Sequence, residues 1–179
     1  FHYWFKMKFM SAEIINRVAN SKLITFDLED LYLPGQRVLI DISDWLLEGL
    51  VLRESLFREK AAAQDWSIYK DAYVALTCST DAIIPAWAYM LLATYLQPYC
   101  KKVITGDLKT LESILYAEII QDLDLSHLKN QPVIIKGCSG KPVPENAYLL
   151  LISKLQPLAK SIMYGEACSS VPLYKKPKN

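Results

Sequence analysis

Three cysteines in this chain share a local pattern that suits metal binding or thiolate chemistry. Each cysteine is followed by serine and then, within a few residues, by an aliphatic residue and a proline. The stretches are "CSTDAIIP" from Cys78, "CSGKPVP" from Cys138 and "CSSVP" from Cys168. The thiolate is the form of cysteine that binds metals and attacks substrates, and a helix N-terminus lowers the thiol pKa. The first two stretches precede helical patterns, so the sequence predicts activated thiols at strand-to-helix turns.

The first two turns belong to a repeat inside the chain. Residues 85–107 and residues 144–166 align without gaps and are identical at 10 of 23 positions, where chance would give about one or two. Each copy reads as an apolar helix bounded by two prolines, followed by a short strand that ends at glycine. With the apolar runs upstream, "YVALTC" and "PVIIKGC", the pattern predicts two strand–helix–strand units, at about 73–107 and 132–166.

Handedness predicts how these units combine into an α/β fold. The amphipathic segment "DLKTLESILYAEIIQDL" predicts a helix between the repeats that covers the other face of the sheet. Right-handed crossovers then give the doubly wound strand order 2-1-3-4 in a mainly parallel sheet. In sequence terms the order is 102–105, 73–78, 132–137 and 161–164. Ligands in such sheets bind at the switch point, which here lies between the strands that end at Cys78 and Cys138.

The remaining sequence predicts one domain with short appendages. "QRVLIDIS" and "EGLVLRE" predict two strands that extend the sheet at its N-terminal side. We expect a single α/β domain over residues 10–176, an N-terminal extension over residues 1–9 and a tail over residues 177–179. This length is enough for one domain with a proper hydrophobic core.

Composition narrows the classes of function. The chain has 20 Lys and Arg against 19 Asp and Glu, so no excess of positive charge predicts a nucleic-acid partner. The apolar stretch "AIIPAWAYMLLATYL" is broken by proline and shorter than a membrane span. With no secretory signal in the sequence, we expect a cytoplasmic protein without a membrane partner. Four cysteines in a reducing compartment are core thiols, metal ligands or reactive groups.

The leading hypothesis from these patterns is a metal centre held by Cys78, Cys138 and Cys168. Adjacent parallel strands lie about 4.8 Å apart, so the first two cysteines are predicted to share one ligand. The paired cysteines typical of structural zinc sites are absent, and three dispersed thiolates suit an iron–sulfur cluster better than zinc. Asp81 and Glu166 are candidates for a fourth ligand. The sequence thus predicts a protein of iron–sulfur cluster assembly, transfer or storage, with zinc or no metal as the alternatives.

Two other functions stay open at this point. In the first, the cysteines are only core and turn residues of a structural or protein-interaction domain, since cysteine is among the most buried residue types. In the second, Cys78 or Cys138 is the nucleophile of a thiol-dependent enzyme. No arginine follows either cysteine as in phosphatase loops, and no Walker motif is present.

The chain also resembles an uncharacterised bacterial family, domain of unknown function number 2480. The resemblance covers residues 10–176, and its most specific pieces are "ALTCSTDAIIPAWAYMLLAT", "VIIKGCSGKPVP" and "SIMYGEACSSVPLYK". The family has no established activity, so the resemblance supplies no catalytic residue. Genes of the family often lie near iron–sulfur assembly genes, which implies iron–sulfur assembly proteins as partners.

Overall fold

The computed structural model describes residues 23–137 and 140–177. In this part of the chain there are seven strands: β1 (Ile24–Asp27), β2 (Arg37–Asp41), β3 (Tyr73–Thr77), β4 (Lys102–Thr105), β5 (Pro132–Lys136), β6 (Ser161–Glu166) and β7 (Ser169–Lys175). The α-helices are α1 (Glu54–Ala63), α2 (Ala86–Leu96), α3 (Leu108–Asp122) and α4 (Glu145–Leu155). The predicted extension 1–9, the start of the predicted domain at 10–22, Cys138 and the end of the tail lie outside the described residues.

A three-stranded parallel sheet has the order β2-β3-β4. Its central strand is covered on both faces, and Val74, Ala75 and Leu76 are at most 1% exposed. Val74 and Leu76 pack in one core cluster with apolar side chains of α1 and α2. Ala75, which points to the opposite face, packs with α3. This double coverage is why the strand reads as the unbroken apolar run "YVALT" instead of an alternating pattern.

A four-stranded sheet has the order β1-β5-β6-β7. Its first three strands are parallel, and β7 returns antiparallel to β6 through the short turn at residues 167–168. Val133, Ile135 and Ile162 form a core cluster with apolar residues of α3 and α4. The sheet is therefore mainly parallel with one antiparallel edge.

Helix α3 is shared by both cores. Its Leu111 and Leu115 pack against Tyr73 and Ala75 of the three-stranded sheet. Other α3 residues, including Tyr116, belong to the core of the four-stranded sheet. The helix begins at a strong cap, because the carboxylate of Asp107 accepts from the backbone N–H of Thr110 at 2.7 Å. One helix thus holds the two sheets together and sets the position of the side chains between them.

The coarse prediction of an α/β fold with parallel strands is confirmed, but the strand order is wrong at its centre. Strands β3 and β4 are neighbours, and so are β5 and β6, as predicted. Strands β3 and β5 are not neighbours, because they lie in different sheets. The N-terminal strands take the positions beside them: Arg37 of β2 pairs with Tyr73, and Ile24 of β1 pairs with Val133. The predicted switch point between Cys78 and Cys138 is therefore absent.

The N-terminal and C-terminal segments differ in part from their predictions. "QRVLIDIS" contains β2, whereas "EGLVLRE" contributes only an isolated bridge between Leu47 and Val51. Strands β1 and β7 have no counterpart in the prediction. Among the described residues, no helix has the length and apolarity that a bilayer crossing requires.

Candidate functional site

Two of the cysteines predicted as metal ligands, Cys78 and Cys168, lie in the described part of the chain, and they follow strands of different sheets. Cys78 follows β3 and is half-buried, with its Sγ 3.3 Å from the hydroxyl oxygen of Thr80. Cys168 is exposed in the turn between β6 and β7, in the other sheet. Cys100 is a half-buried thiol whose pKa is raised by burial, in keeping with a core position.

The prediction of an iron–sulfur protein built on convergent cysteines is wrong. Within residues 23–137 and 140–177, no group of three or more His, Cys, Asp and Glu side chains could hold a metal ion. The physical reason is the arrangement of the sheets. Cys78 follows β3 and Cys168 follows β6, and these two strands belong to different sheets. Asp81 and Glu166 are both exposed, the first after β3 and the second at the end of β6. The role of Cys138 remains a prediction because this residue is outside the described part.

The alignment of the two repeats shows that Cys78 and Cys138 do not correspond to each other. At the 59-residue spacing that aligns the two copies, Cys78 corresponds to Gly137, and Cys138 corresponds to Ser79. The two cysteines are therefore one residue out of step and do not occupy equivalent positions. The alternatives, a structural or protein-interaction domain and a thiol-dependent enzyme, stay predictions.

What holds the turn after β3 is a carboxylate that the sequence reading missed. Asp41, at the end of β2, accepts the backbone N–H of Ser43 at 2.9 Å and that of Ser79 at 3.1 Å. The hydrogen bonds from Ser79 and Ser43 lower the Asp41 pKa to about 2. Asp27 ends β1 in the same way, with its carboxylate bound to the N–H of Glu29 and to Lys136. Each sheet therefore ties an edge strand to the turn that follows it through an aspartate.

We expect Asp41→Ala to lower the free energy of unfolding by about 1 to 2 kcal/mol at pH 7, because two backbone donors lose their partner. The folded-state pKa lies below the ordinary value, so this stabilisation is present above pH 4 and is lost as the pH falls toward about 2. Urea unfolding at several pH values measures it, with Asp44→Ala as the exposed control. A difference from wild type that stays constant between pH 5 and about 2 contradicts this role.

A large concavity in the described part of the chain lies elsewhere, where residues from the N-terminal ends of α3 and α4 line one space. We call it the α3–α4 cavity; its volume is about 790 Å³. The exposed surface of the wall is mostly apolar, although four charged residues and two small polar residues are among those that line it. It is lined by Tyr32, Arg37, Leu108, Lys109, Glu112, Ser113, Pro142, Val143, Pro144, Glu145 and Asn146. Segments from three parts of the chain therefore line one cavity that is open to solvent.

A half-buried ion pair forms part of this wall. Arg37 Nε donates to Glu112 Oε1 at 2.6 Å, and Nη2 donates to Oε2 at 3.3 Å. Each side chain is only 11% exposed. Burial opposes the Arg37 charge, but the hydrogen bond and the charge of Glu112 outweigh burial and raise the Arg37 pKa. The guanidinium is thus a fixed cation at the cavity surface.

The Arg37 guanidinium is also held by groups other than Glu112. Its central carbon lies 4.3 Å from the ring centroid of Tyr32 and 4.9 Å from that of Tyr73. Nη1 donates to the carbonyl oxygen of Gly35 at 2.8 Å. The tyrosine rings restrict motion of the guanidinium perpendicular to its own plane, and the hydrogen bond to the Gly35 carbonyl oxygen restricts its motion within that plane.

The rim of the cavity includes an uncapped helix end. Pro144 is the N-cap residue of α4 and makes no side-chain hydrogen bond to the first turn. The Pro144 carbonyl oxygen accepts the N–H of Ala147 at 2.9 Å, whereas the N–H groups of Glu145 and Asn146 receive no side-chain cap from Pro144. Glu145 and Asn146, the first two residues of α4, line the cavity.

One buried polar atom near this wall has no hydrogen-bond partner. The hydroxyl of Tyr116, a residue 1% exposed, is the unsatisfied buried side-chain atom of the described chain. Burial raises the Tyr116 pKa to about 12, and the nearby charge of Glu112 adds to that shift. Tyr116 lies four residues after Glu112 on α3, and Glu112 lines the cavity.

A second, smaller cavity lies along another side of α4. Its volume is about 390 Å³, and its lining is almost entirely apolar, with Leu149, Tyr164 and Leu173 among the lining residues. It has no buried ion pair in its wall. It serves as a comparison site for the α3–α4 cavity.

The sequence offered little to identify the α3–α4 cavity. Arg37 and Glu112 are 75 residues apart, and neither belongs to a motif. The one available signal was indirect: Pro144 was predicted to lie at the start of a helix, and a proline at the N-cap position offers no side-chain acceptor. Tyr116 had no signal, because a buried tyrosine of an amphipathic helix is expected to be ordinary core.

Comparison with known proteins identifies a family without a function. The family model described as "Protein of unknown function (DUF2480)" matches residues 12–176, in agreement with the resemblance found from the motifs. No curated protein matches the chain, and no solved structure matches it. The predicted cytoplasmic location and the predicted iron–sulfur assembly partners stay predictions.

Proposed function

This chain belongs to the DUF2480 family, whose function is unknown, and we propose from its geometry that it binds a small organic ligand in the α3–α4 cavity. The observation that carries the proposal is the cavity itself, with a volume of about 790 Å³. Ligand sites in proteins are concave spaces of roughly 300 to 1,000 Å³, lined by apolar groups with a few placed polar groups. The α3–α4 cavity has this size and this composition.

The way the cavity is built supports a site that exists before the ligand arrives. The Arg37 guanidinium is held by contacts with two tyrosine rings and by a carbonyl oxygen. Val143 packs against the core of the four-stranded sheet. Groups that are held by the core lose little conformational freedom when a ligand binds, which favours affinity.

The proposal is tested with N-phenyl-1-naphthylamine, a neutral apolar probe whose fluorescence rises in an apolar site. We expect wild-type protein to bind it saturably, and Val143→Trp to weaken binding at least about tenfold, because the indole occupies the space that the probe needs. Leu108→Trp places the same bulk from α3, at a residue that is 38% exposed and so tolerates a larger side chain. Leu149→Trp, in the second cavity, is the matched control and should leave the affinity unchanged.

Circular dichroism of each variant establishes that it is folded before its affinity is compared. Failure of the wild-type protein to bind the probe overturns the proposal. Equal affinity in wild type, Val143→Trp and Leu108→Trp also overturns it, because the probe then binds elsewhere.

A further inference from the structure

Resting on the proposed function, we infer that the ligand of the α3–α4 cavity is an organic anion whose carboxylate, sulfonate or phosphate group takes the place of Glu112 on Arg37. Three features of the wall support this assignment: a guanidinium held in place, a carboxylate that occupies it, and a buried unpaired hydroxyl four residues after that carboxylate on α3.

The guanidinium is built to remain in place when Glu112 leaves it. Tyr32 and Tyr73 hold its faces, and Gly35 accepts from Nη1. A guanidinium has five N–H donors in a rigid fork that matches a carboxylate or phosphate. The recorded bonds of Arg37 are one to Gly35 and two to Glu112. An anion in the cavity can therefore take the Glu112 bonds without moving the cation.

Glu112 resembles a stand-in for such an anion. It binds Arg37 through one short hydrogen bond of 2.6 Å and one long one of 3.3 Å, so only one leg of the pair is strong. Both side chains line the cavity, which places the pair where a ligand can reach it. A buried carboxylate that loses its cation needs another partner, because an unpaired buried charge costs several kcal/mol.

We assign the role of this second partner of Glu112 to Tyr116. It lies four residues after Glu112 on α3, and residues four apart lie on the same face of a helix. Long side chains on a helix lean toward its N-terminus, which directs the Tyr116 ring toward the turn that carries Glu112. Its hydroxyl is buried and unpaired in the free protein. A hydrogen bond from this hydroxyl satisfies Glu112 once the ligand has replaced it.

The rim of the cavity adds further attraction for an anion. Lys109 lines the cavity from α3, and the uncapped first turn of α4 lines it from the other side. The N-terminus of a helix carries partial positive charge and free N–H donors, both of which favour an anion. Glu145 is the opposing charge at this rim, and it is exposed to solvent, where its repulsion is screened.

The test compares two probes that differ by one group. The probe 8-anilinonaphthalene-1-sulfonate is N-phenyl-1-naphthylamine with an added sulfonate. For the wild-type protein we expect the sulfonate probe to bind about tenfold more tightly, since its sulfonate takes over the Arg37 hydrogen bonds while Glu112 gains the Tyr116 hydroxyl as a partner. Glu112→Gln removes the competing charge and should strengthen sulfonate binding about three- to tenfold. Tyr116→Phe removes the alternative partner and should weaken sulfonate binding by a similar factor. The neutral probe lacks the sulfonate, so the ratio of the two affinities in each variant isolates the effect on anion binding.

The controls separate this inference from the function on which it rests. Glu118→Gln removes an exposed carboxylate of the same helix that pairs with Lys102, and it should leave both affinities unchanged. Tyr116→Phe removes an unpaired hydroxyl, so it should not destabilise the fold. Equal affinity of the two probes overturns the anion inference while the binding function stands. Unchanged sulfonate affinity in Glu112→Gln and Tyr116→Phe overturns the exchange. Loss of both probes from the wild-type protein overturns the binding function itself.

Discussion

Gly137→Ala is expected to lower the free energy of unfolding by about 2 to 3 kcal/mol, one of the two largest effects that we predict. Gly137 follows β5 with a φ of +148°, in a region that residues with a side chain rarely adopt. An added Cβ would lie 2.8 Å from Cβ of Leu28 and 3.4 Å from its backbone nitrogen. Because the close contacts include the core residue Leu28 and its backbone, the collision cannot be relieved by a flexible side-chain end.

The substitution should also reach the α3–α4 cavity. The carbonyl of Gly137 accepts the hydroxyl of Tyr148 at 2.6 Å, and this bond ties the strand end to α4. Pro142 and Val143, a few residues after Gly137, line the cavity. We therefore expect a shift of Gly137 to displace this part of the cavity wall. We expect weaker binding of N-phenyl-1-naphthylamine together with the loss of stability.

Gly140→Ala is the matched control for this prediction. An added Cβ at Gly140 would meet only Glu29 Oε2, at 3.5 Å, which is an ordinary contact. Urea unfolding followed by circular dichroism gives both free energies. Equal stability of the two variants would show that Gly137 carries no conformational requirement.

Leu111→Ala is expected to lower the free energy of unfolding by about 2 to 5 kcal/mol. Leu111 is fully buried on α3, against Tyr73 and Ala75 of the three-stranded sheet. Shortening it leaves a void at the interface through which α3 holds that sheet. Leu108→Ala, on the same helix but 38% exposed, should cost less than about 1 kcal/mol.

The same variant tests whether the two cores unfold together. Three of the four tryptophans, Trp45, Trp66 and Trp87, pack in the core of the three-stranded sheet, and Trp4 lies outside the described residues. Circular dichroism reports on the helices and strands of both sheets. Because α3 belongs to both cores, we expect the fluorescence and dichroism midpoints to coincide in wild type and in Leu111→Ala. Separate midpoints would mean that α3 does not couple the two sheets.

The units of the fold could be predicted because their causes are local. Pro85 and Pro144 begin α2 and α4 in the structure as they did in the pattern. The apolar runs of β3 and β5 identify strands covered on both faces. Pairing of β3 with β4 and of β5 with β6 followed from the short right-handed crossover between them.

The neighbours on the other side of β3 and β5 could not be predicted in the same way. Strand β1 has only four residues and, unlike the equally short β4, it lies outside the repeat that identified the other strands. Strand β7 contains Pro172 and pairs as an edge strand with β6, so its sequence reads as a loop. Whether the strands form one sheet or two depends on which segment pairs with the free edges of β3 and β5. That pairing joins residues far apart in the chain, so a local pattern does not predict it.

The cysteines show how a correct local placement can still mislead. Cys78 does lie after a parallel strand, where the pattern placed it. The prediction that Cys78 and Cys138 share a ligand required β3 and β5 to be neighbouring strands, and these strands lie in different sheets. The two cysteines also differ by one position in the aligned repeats, so the repeat gave no support for a shared site.

The sequence by itself determined the helices, most of the strands, the α/β class and the family of this protein, because capping, apolar periodicity and motif matches act over short stretches. Only the tertiary structure decided that the strands form two sheets on either side of α3. That arrangement brings Arg37 to Glu112 across 75 residues and leaves the Tyr116 hydroxyl unpaired beside them. Contacts between distant segments come from the packing of whole elements, which spacing along the chain does not encode.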